Sequence, residues 1–163
     1  MVEAVHLEHE VLNSFQTWRG WVIEVLNKVD VEIVDTIPAG CNNSIRWHAG
    51  HLAVAWDQGI FQNVFKEKHL PEHYVGYFAN GTSPSQWNGD APALAEIITH
   101  LEAQRHMICE RIVGNWDLDL VNPFLQFTKA SQMFFFLLSH EAMHFGQIRS
   151  FIKTLEASQP NPI

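Results

Sequence analysis

Histidine is the residue type in this sequence best suited to chemistry, because it occurs ten times in 163 residues. The imidazole ring changes charge near neutral pH and is the commonest metal ligand in proteins. The sequence holds two histidine pairs separated by four residues, whereas chance alone supplies roughly 0.6 such pairs at this composition. Spacing by itself is therefore weak evidence, and the surroundings of each pair decide its interpretation. The histidines stand at positions 6, 9, 48, 51, 69, 73, 100, 106, 140 and 144.

One of these pairs, His140 and His144, lies inside the strongest helical pattern of the chain. Residues four apart on a helix stand one turn apart on the same face, so the two imidazoles can hold one metal ion at about 2.0–2.1 Å. Their neighbours are apolar, including residues 134–138 and Phe145, and an unpaired imidazole is costly to bury. A metal ion would satisfy both rings, but hydrogen bonds to backbone or side-chain groups would satisfy them equally well.

A further pair, His48 and His51, is separated by three residues on a second predicted helix and so shares a face approximately. Two ligands from one helix and one from another would leave a coordination position open, as in catalytic rather than structural metal sites. Gly50 adjoins His51, and Gly146 lies near His144. These glycines predict either a close approach of the two helices or ordinary packing.

The remaining histidines give weaker signals. His69 and His73 flank Pro71, so we expect them in a solvated loop without a shared helix face. His6 and His9 lie close to Glu10 on one helix face, which is more typical of a solvated surface than of a site. Neither of the other two, at positions 100 and 106, has the spacing of a metal ligand.

Four helices are needed to position these residues. Apolar residues recur at intervals of three and four in each, and Asn43 or Ser44 is the expected N-cap of the second. Pro and Gly make residues 69–92 a long, partly ordered connection. Apolar and polar residues alternate over positions 29–34, which is a short and weak strand signal. We therefore predict an all-α fold, a single-domain four-helix bundle (residues 1–163) with a long crossover loop between helices 2 and 3. The helices are expected at about 2–28, 43–66, 92–113 and 129–157, with a second loop at 114–123.

Composition restricts the function. The chain is 47% hydrophobic and carries a formal net charge of −8, with no basic run, which argues against nucleic acid as a partner. Its longest apolar run, residues 133–138, is too short to cross a membrane, and no signal peptide is visible. Cys41 and Cys109 form no Cys-x-x-Cys motif. We therefore expect a cytoplasmic protein with free thiols and a small-molecule substrate.

Two segments resemble the DinB/YfiT-like superfamily. Residues 44–53, with Ser44 seven positions before His51-Leu52, are similar to its second-helix motif. Residues 139–148 resemble its last-helix motif, His-x-x-x-His-x-Gly-Gln-Ile. The resemblance implies a four-helix bundle, often a homodimer, that holds nickel or zinc with three histidines. Carried over by position, these are His51, His140 and His144. His48 is then an additional histidine that could be a fourth ligand, a proton carrier behind the ligands or an unrelated residue.

The resemblance also implies a range of reactions. Characterised relatives include bacillithiol transferase-like enzymes that attach a low-molecular-weight thiol to electrophiles, and a thiol-dependent maleylpyruvate isomerase. We therefore expect a metal-dependent thiol S-transferase that uses a thiol cosubstrate. A metal-dependent hydrolase and a non-catalytic bundle that binds metal or ligand remain alternatives. His48 and Glu141 are candidate general bases, although Glu141 should point about 100° away from His140 around the helix.

Overall fold

A computed structural model describes residues 2–158, with side chains from residue 8 onward. The chain forms a mostly helical bundle, as expected for an all-α fold. Helix α1 packs on α5 and α6, and α2 packs on the same two helices, so that α2 faces the last helix. The helices are α1 (Val2–Lys28), α2 (Ile45–Trp56), α3 (Asn63–Phe65), α4 (His73–Phe78), α5 (Leu94–Ile112) and α6 (Ala130–Ser158).

The second helix begins as the sequence predicts. Ser44 is the N-cap, and its hydroxyl accepts a hydrogen bond from the backbone N–H of Trp47 at 3.3 Å. The helix continues to Phe65 through a wider π-helical turn, Asp57–Gln62, which the apolar pattern did not indicate. Asp57 is buried in this turn and accepts hydrogen bonds from the Gln62 side chain at 2.7 Å and the backbone N–H of His69 at 3.0 Å.

The crossover between α3 and α5 is more ordered than predicted. It contains helix α4 and a 3₁₀ turn, Pro84–Gln86. Tyr74 and Phe78, four residues apart on α4, are completely buried, and α4 packs on α2. A six-residue helix is marginal alone, so the burial of these two rings stabilises it. The sequence could not predict this burial without the position of α2.

The weak strand signal at 29–34 does not correspond to a strand, and the strands of the structure begin where the sequence predicted a loop. Residues 29–34 form a turn in which the Asp30 side chain accepts from the backbone N–H of Glu32 at 2.9 Å, an arrangement that competes with a strand. The loop predicted at 114–123 instead leads into an antiparallel hairpin of β1 (Asp119–Phe124) and β2 (Phe127–Lys129). This hairpin packs against α3 and α6.

The core is divided along the bundle axis. One cluster contains Leu26, Leu52 and Phe78, and the other contains Phe15 and Phe134. Most large aromatic side chains are in these two clusters, as expected for a bundle core. Both cysteines are free; Cys41 is exposed and Cys109 is partly buried. No helix within residues 2–158 has the length and apolar character needed to span a membrane.

Candidate metal centre

Three histidines from α2 and α6 converge. The Nε2 atoms of His51 and His140 are 3.3 Å apart, and those of His140 and His144 are 3.0 Å apart. One nitrogen from each ring lies within 4.8 Å of the other two, as metal ligands must. Within the part of the chain that the structure describes, no other group of three His, Cys, Asp or Glu side chains brings its ligand atoms this close together. The three residues identified from the resemblance are therefore neighbours in space and could hold a metal ion.

A backbone carbonyl sets the orientation of His51. Its Nδ1–H donates to the carbonyl oxygen of Phe78 at 2.7 Å, so the lone pair of Nε2 faces the other two rings. A hydrogen bond of this kind fixes the tautomer of a metal-binding imidazole. The fold supplies this carbonyl from the crossover, and no sequence motif could have identified Phe78.

Of the two roles predicted for the glycines, a close approach of α2 and α6 at Gly50 and Gly146 is not found. A Cβ added to Gly50 would overlap the ring of Phe78, so Gly50 makes room for α4 and not for α6. A Cβ on Gly146 would meet nothing within 4 Å. Close approach to α6 occurs instead at Gly59, where an added Cβ would lie 2.8 Å from Cδ1 of Leu137.

Aromatic rings stack beside two of the three histidines. Trp47 lies against His51 with 4.6 Å between ring centroids and an interplanar angle of 10°. Phe136 lies against His140 at 6.0 Å and 20°. Each ring is four residues before its histidine, on the same helix face. This spacing was available in the sequence and indicates aromatic residues that restrict the imidazoles.

His48 lies behind the cluster. Its Nδ1 is 2.8 Å from Nδ1 of His144, on the opposite side of that ring from Nε2. His48 is therefore not a fourth member of the group in this arrangement. Its own Nε2 is buried and has no hydrogen-bond partner among the described residues.

Burial keeps the four imidazoles neutral. Desolvation lowers the pKa of His48 and His140 to about 4, with a smaller contribution from neighbouring imidazoles. It lowers the pKa of His144 further, to about 2. Burial also lowers the pKa of His51, although the hydrogen bond to Phe78 opposes the shift. Neutral imidazole is the form that binds a metal.

The donor set fits a divalent transition metal. Three uncharged nitrogens meet at 3.0–3.3 Å, and lone pairs gathered this closely are better satisfied by a shared cation than by one another. Nδ1 of His140 is buried without a hydrogen-bond partner among the described residues. Three imidazoles suit zinc, nickel, copper and iron alike.

Glu141 is excluded as a general base at this centre. Its carboxylate is fully buried and accepts two hydrogen bonds from Arg19, at 2.6 and 2.9 Å, and one from Trp56 at 2.7 Å. It therefore points into the bundle core, in agreement with the angle expected from its position beside His140.

A cavity of about 360 Å³ adjoins the histidines. His51 and His140 form one end of it, and Phe124 of the hairpin contributes to its wall. Apolar surface predominates in the lining, as in most small-molecule sites. Its other lining residues are Val54, Ala55, Gln58, Gly59, Asn63, Asn80, Met133, Phe136 and Leu137.

The remaining histidines stay apart from this centre. His73 begins α4 while His69 precedes the helix and lies 3.2 Å from Glu67, so the two share no helix face, as predicted. His9 and Glu10 are exposed, and the side chain of His6 lies outside the described residues. The two histidines of α5 are also separate from the centre. His106 is exposed, and Nε2 of His100 lies 4.0 Å from the carboxylate of Glu96 on the same helix.

Fold and site together define a helical-bundle protein with a candidate three-histidine metal centre between its second and last long helices. The family model of the DinB superfamily matches residues 14–148. The chain therefore belongs to the DinB superfamily, which confirms the family that the two histidine motifs indicated. Among curated proteins, no sequence matches this chain.

Proposed function

We propose that this protein is a metal-dependent thiol S-transferase that joins a low-molecular-weight thiol to an electrophilic small molecule. His51, His140 and His144 hold a nickel or zinc ion through their Nε2 atoms. When bound, the cation supplies positive charge that lowers the pKa of a thiol and leaves a coordination position free. The observation that carries the proposal is the cavity that opens directly beside this group.

The protein residues position the reactants. The Phe78 carbonyl and the Trp47 ring hold His51 in place, and the cavity keeps the electrophile beside His51 and His140. The thiol sulfur forms a bond to the electrophilic carbon. The bond between that carbon and its leaving group breaks, its electron pair goes to the leaving group, and the thiol proton passes to water. No protein residue needs to accept that proton once the thiol is acidic enough to ionise in water.

The lining of the cavity favours transfer over hydrolysis. It contains no Asp or Glu that could activate a water molecule, and Glu141 is paired with Arg19 in the core. Without such a residue, hydrolysis would depend on the metal-bound water alone. A non-catalytic bundle that only bound metal would need no cavity beside the metal ligands.

The first measurement is the metal content of untagged protein purified without chelator. We expect about one metal ion per chain, as for a single three-histidine site. A His140→Ala, His144→Ala variant should bind almost none. His106→Ala removes an exposed histidine of α5 and is the matched control. Protein that takes up neither zinc nor nickel after incubation and dialysis would contradict the proposed site.

The reaction is tested on the metal-loaded protein with a thiol and a chromogenic electrophile, and separately with a generic ester without thiol. Thiol consumption that the double histidine variant loses would support the transferase. Ester cleavage without thiol consumption would identify a hydrolase. Metal binding without either reaction would indicate a binding protein.

We also propose that the protein is a homodimer. Trp21 is 46% exposed and packs with Trp18 and Phe145, so that an aromatic surface extends across α1 and α6. Exposed aromatic surfaces of this kind are typical of protein interfaces. Light scattering should give twice the monomer mass, and Trp21→Glu should reduce it to the monomer mass.

A further inference from the structure

The cavity beside the three histidines has no charged side chain. Its walls come from α2, the π-helical turn, α3, α6, the hairpin and Asn80 of the crossover, and none of its lining residues is Asp, Glu, Lys or Arg. The inference drawn from this lining rests on the proposed function, because it concerns the electrophile that the transferase would accept.

Only amide side chains offer hydrogen bonds to a ligand in this cavity besides the histidines. The Asn63 amide is already used: it donates to the backbone carbonyl of Asn122 at 2.9 Å and accepts from the N–H of that residue at 2.8 Å. Gln58 and Asn80 are exposed and make no side-chain hydrogen bond with another described residue. Two neutral amides at the mouth can therefore bind a neutral polar group, but neither can neutralise a charge.

The inner wall is aromatic and closely packed. Phe136 stacks on His140 and also contacts Phe124 of the hairpin, with 5.2 Å between those two ring centroids. Gly59 lies so close to Leu137 that the wall has no room for a larger residue there. Flat apolar molecules fit such a surface because aromatic rings gain from stacked contact.

Charge works against an anionic ligand. A carboxylate placed in this cavity would lose hydration without meeting a protein cation, and the chain as a whole carries a net charge of −8. The charge of the proposed metal ion is already shared with the thiolate of the cosubstrate. We propose that the cavity selects an uncharged, mainly apolar, flat electrophile and rejects electrophiles that carry a carboxylate.

Binding tests this proposal without any turnover. Calorimetry on zinc-loaded protein saturated with cysteine, whose thiolate would fill the open metal position, compares 1,3-dinitrobenzene with 3,5-dinitrobenzoate, two flat probes that differ by one carboxylate. Dinitrobenzene should bind about tenfold more tightly or better, the discrimination expected when a charge is buried without a partner. Equal affinities, tighter binding of the benzoate or no binding of either probe would overturn the proposal.

A single added charge should change the preference. Gln58→Lys places a cation at the mouth of the cavity, and dinitrobenzoate should then bind about tenfold more tightly than it does to the parent protein. Asn27→Lys adds the same charge on an exposed position of α1 and should leave both affinities unchanged. Unchanged benzoate binding by the Gln58 variant would overturn the placement of the ligand in this cavity.

Reactivity is measured separately with 1-chloro-2,4-dinitrobenzene, 4-chloro-3,5-dinitrobenzoate and cysteine. Faster reaction of the neutral chloride would agree with the binding preference and with the transferase. Selective binding of dinitrobenzene without any catalysed reaction of either chloride would contradict the proposed transferase activity but support the proposed preference for uncharged ligands. A catalysed reaction that is faster with the benzoate would contradict the proposed preference for uncharged ligands but support the proposed transferase activity.

Discussion

Glu141 of α6 and Arg19 of α1 form a doubly hydrogen-bonded ion pair at the centre of the bundle, and neither side chain is exposed to solvent. The same guanidinium donates to Gln104 of α5 at 3.2 Å, and the carboxylate also accepts from Trp56 of α2 at 2.7 Å. The pair therefore joins all four long helices. Because Glu141 is adjacent to His140, this network also fixes the rotation of α6 that directs the histidines toward α2.

The ion pair predicts a large loss of stability when one partner is removed. Arg19→Met leaves the Glu141 carboxylate buried without its cation and should lower the free energy of unfolding by about 3–5 kcal/mol. Urea denaturation measures this loss. Adding Glu141→Gln should restore part of it, since the neutral amide can still accept from Trp56. Lys28→Met, which breaks an exposed pair with Glu24, should leave stability nearly unchanged. An Arg19 variant as stable as the Lys28 variant would contradict the prediction.

The contact between His48 and His144 predicts an effect on metal affinity. If Nε2 of His144 binds the proposed metal ion, its Nδ1 carries the hydrogen and donates to Nδ1 of His48. His48→Phe removes the acceptor and should weaken zinc binding about 10–100-fold. Competition with a chromogenic chelator measures the dissociation constant.

A matched variant distinguishes hydrogen bonding from packing at position 48. His48→Gln retains a side-chain acceptor and should recover part of the lost affinity. His100→Phe changes a histidine of α5 outside the cluster and should have no effect. Equal zinc affinities of the parent and the His48→Phe variant would show that His48 does not position His144.

The close contact between Gly50 and Phe78 predicts that the metal centre is sensitive to one methyl group. Gly50→Ala would displace the Phe78 ring and with it the carbonyl that accepts from His51. We expect a loss of about 1–3 kcal/mol in stability from overpacking, together with weaker zinc binding. Gly146→Ala meets nothing within 4 Å and should raise stability by up to about 1 kcal/mol, because alanine favours a helix. Similar zinc affinities of the two variants would argue against this role for Gly50.

The buried histidines predict that the metal-free protein loses stability in mild acid. Burial lowers the pKa of His48 and His140 from 6.5 to about 4 in the folded state. Below pH 6.5 the unfolded chain therefore binds protons that the folded chain does not, and the free energy of unfolding falls as the pH falls toward 4. Each such histidine contributes at most about 1.4 kcal/mol per pH unit.

Urea denaturation of chelator-treated protein at pH 7, 6 and 5 measures this dependence. A His48→Phe, His140→Phe variant removes two of the titrating groups and should show a shallower decline. If the free energy of unfolding falls with the same slope in parent and variant, the acid sensitivity comes from other groups.

Much of the bundle was predictable because it follows from local periodicity. The apolar spacing located α1, α5 and α6 to within two residues of their ends, and Ser44, one of the two predicted N-caps, marks the start of α2. The hairpin at 119–129 was not predictable, because its short strands are stabilised by packing on α3 and α6 rather than by alternation. Helix α4 was missed for the same reason.

The sequence by itself determined the helical repeat and which histidines share a helix face, since both depend only on residues a few positions apart. His140 and His144 are one turn apart in any α-helix. Only the tertiary structure decided that α2 faces α6, that Phe78 orients His51, and that His48 lies behind His144. Those contacts join residues from 27 to 96 positions apart, and burial of the complete core selects them rather than any local preference.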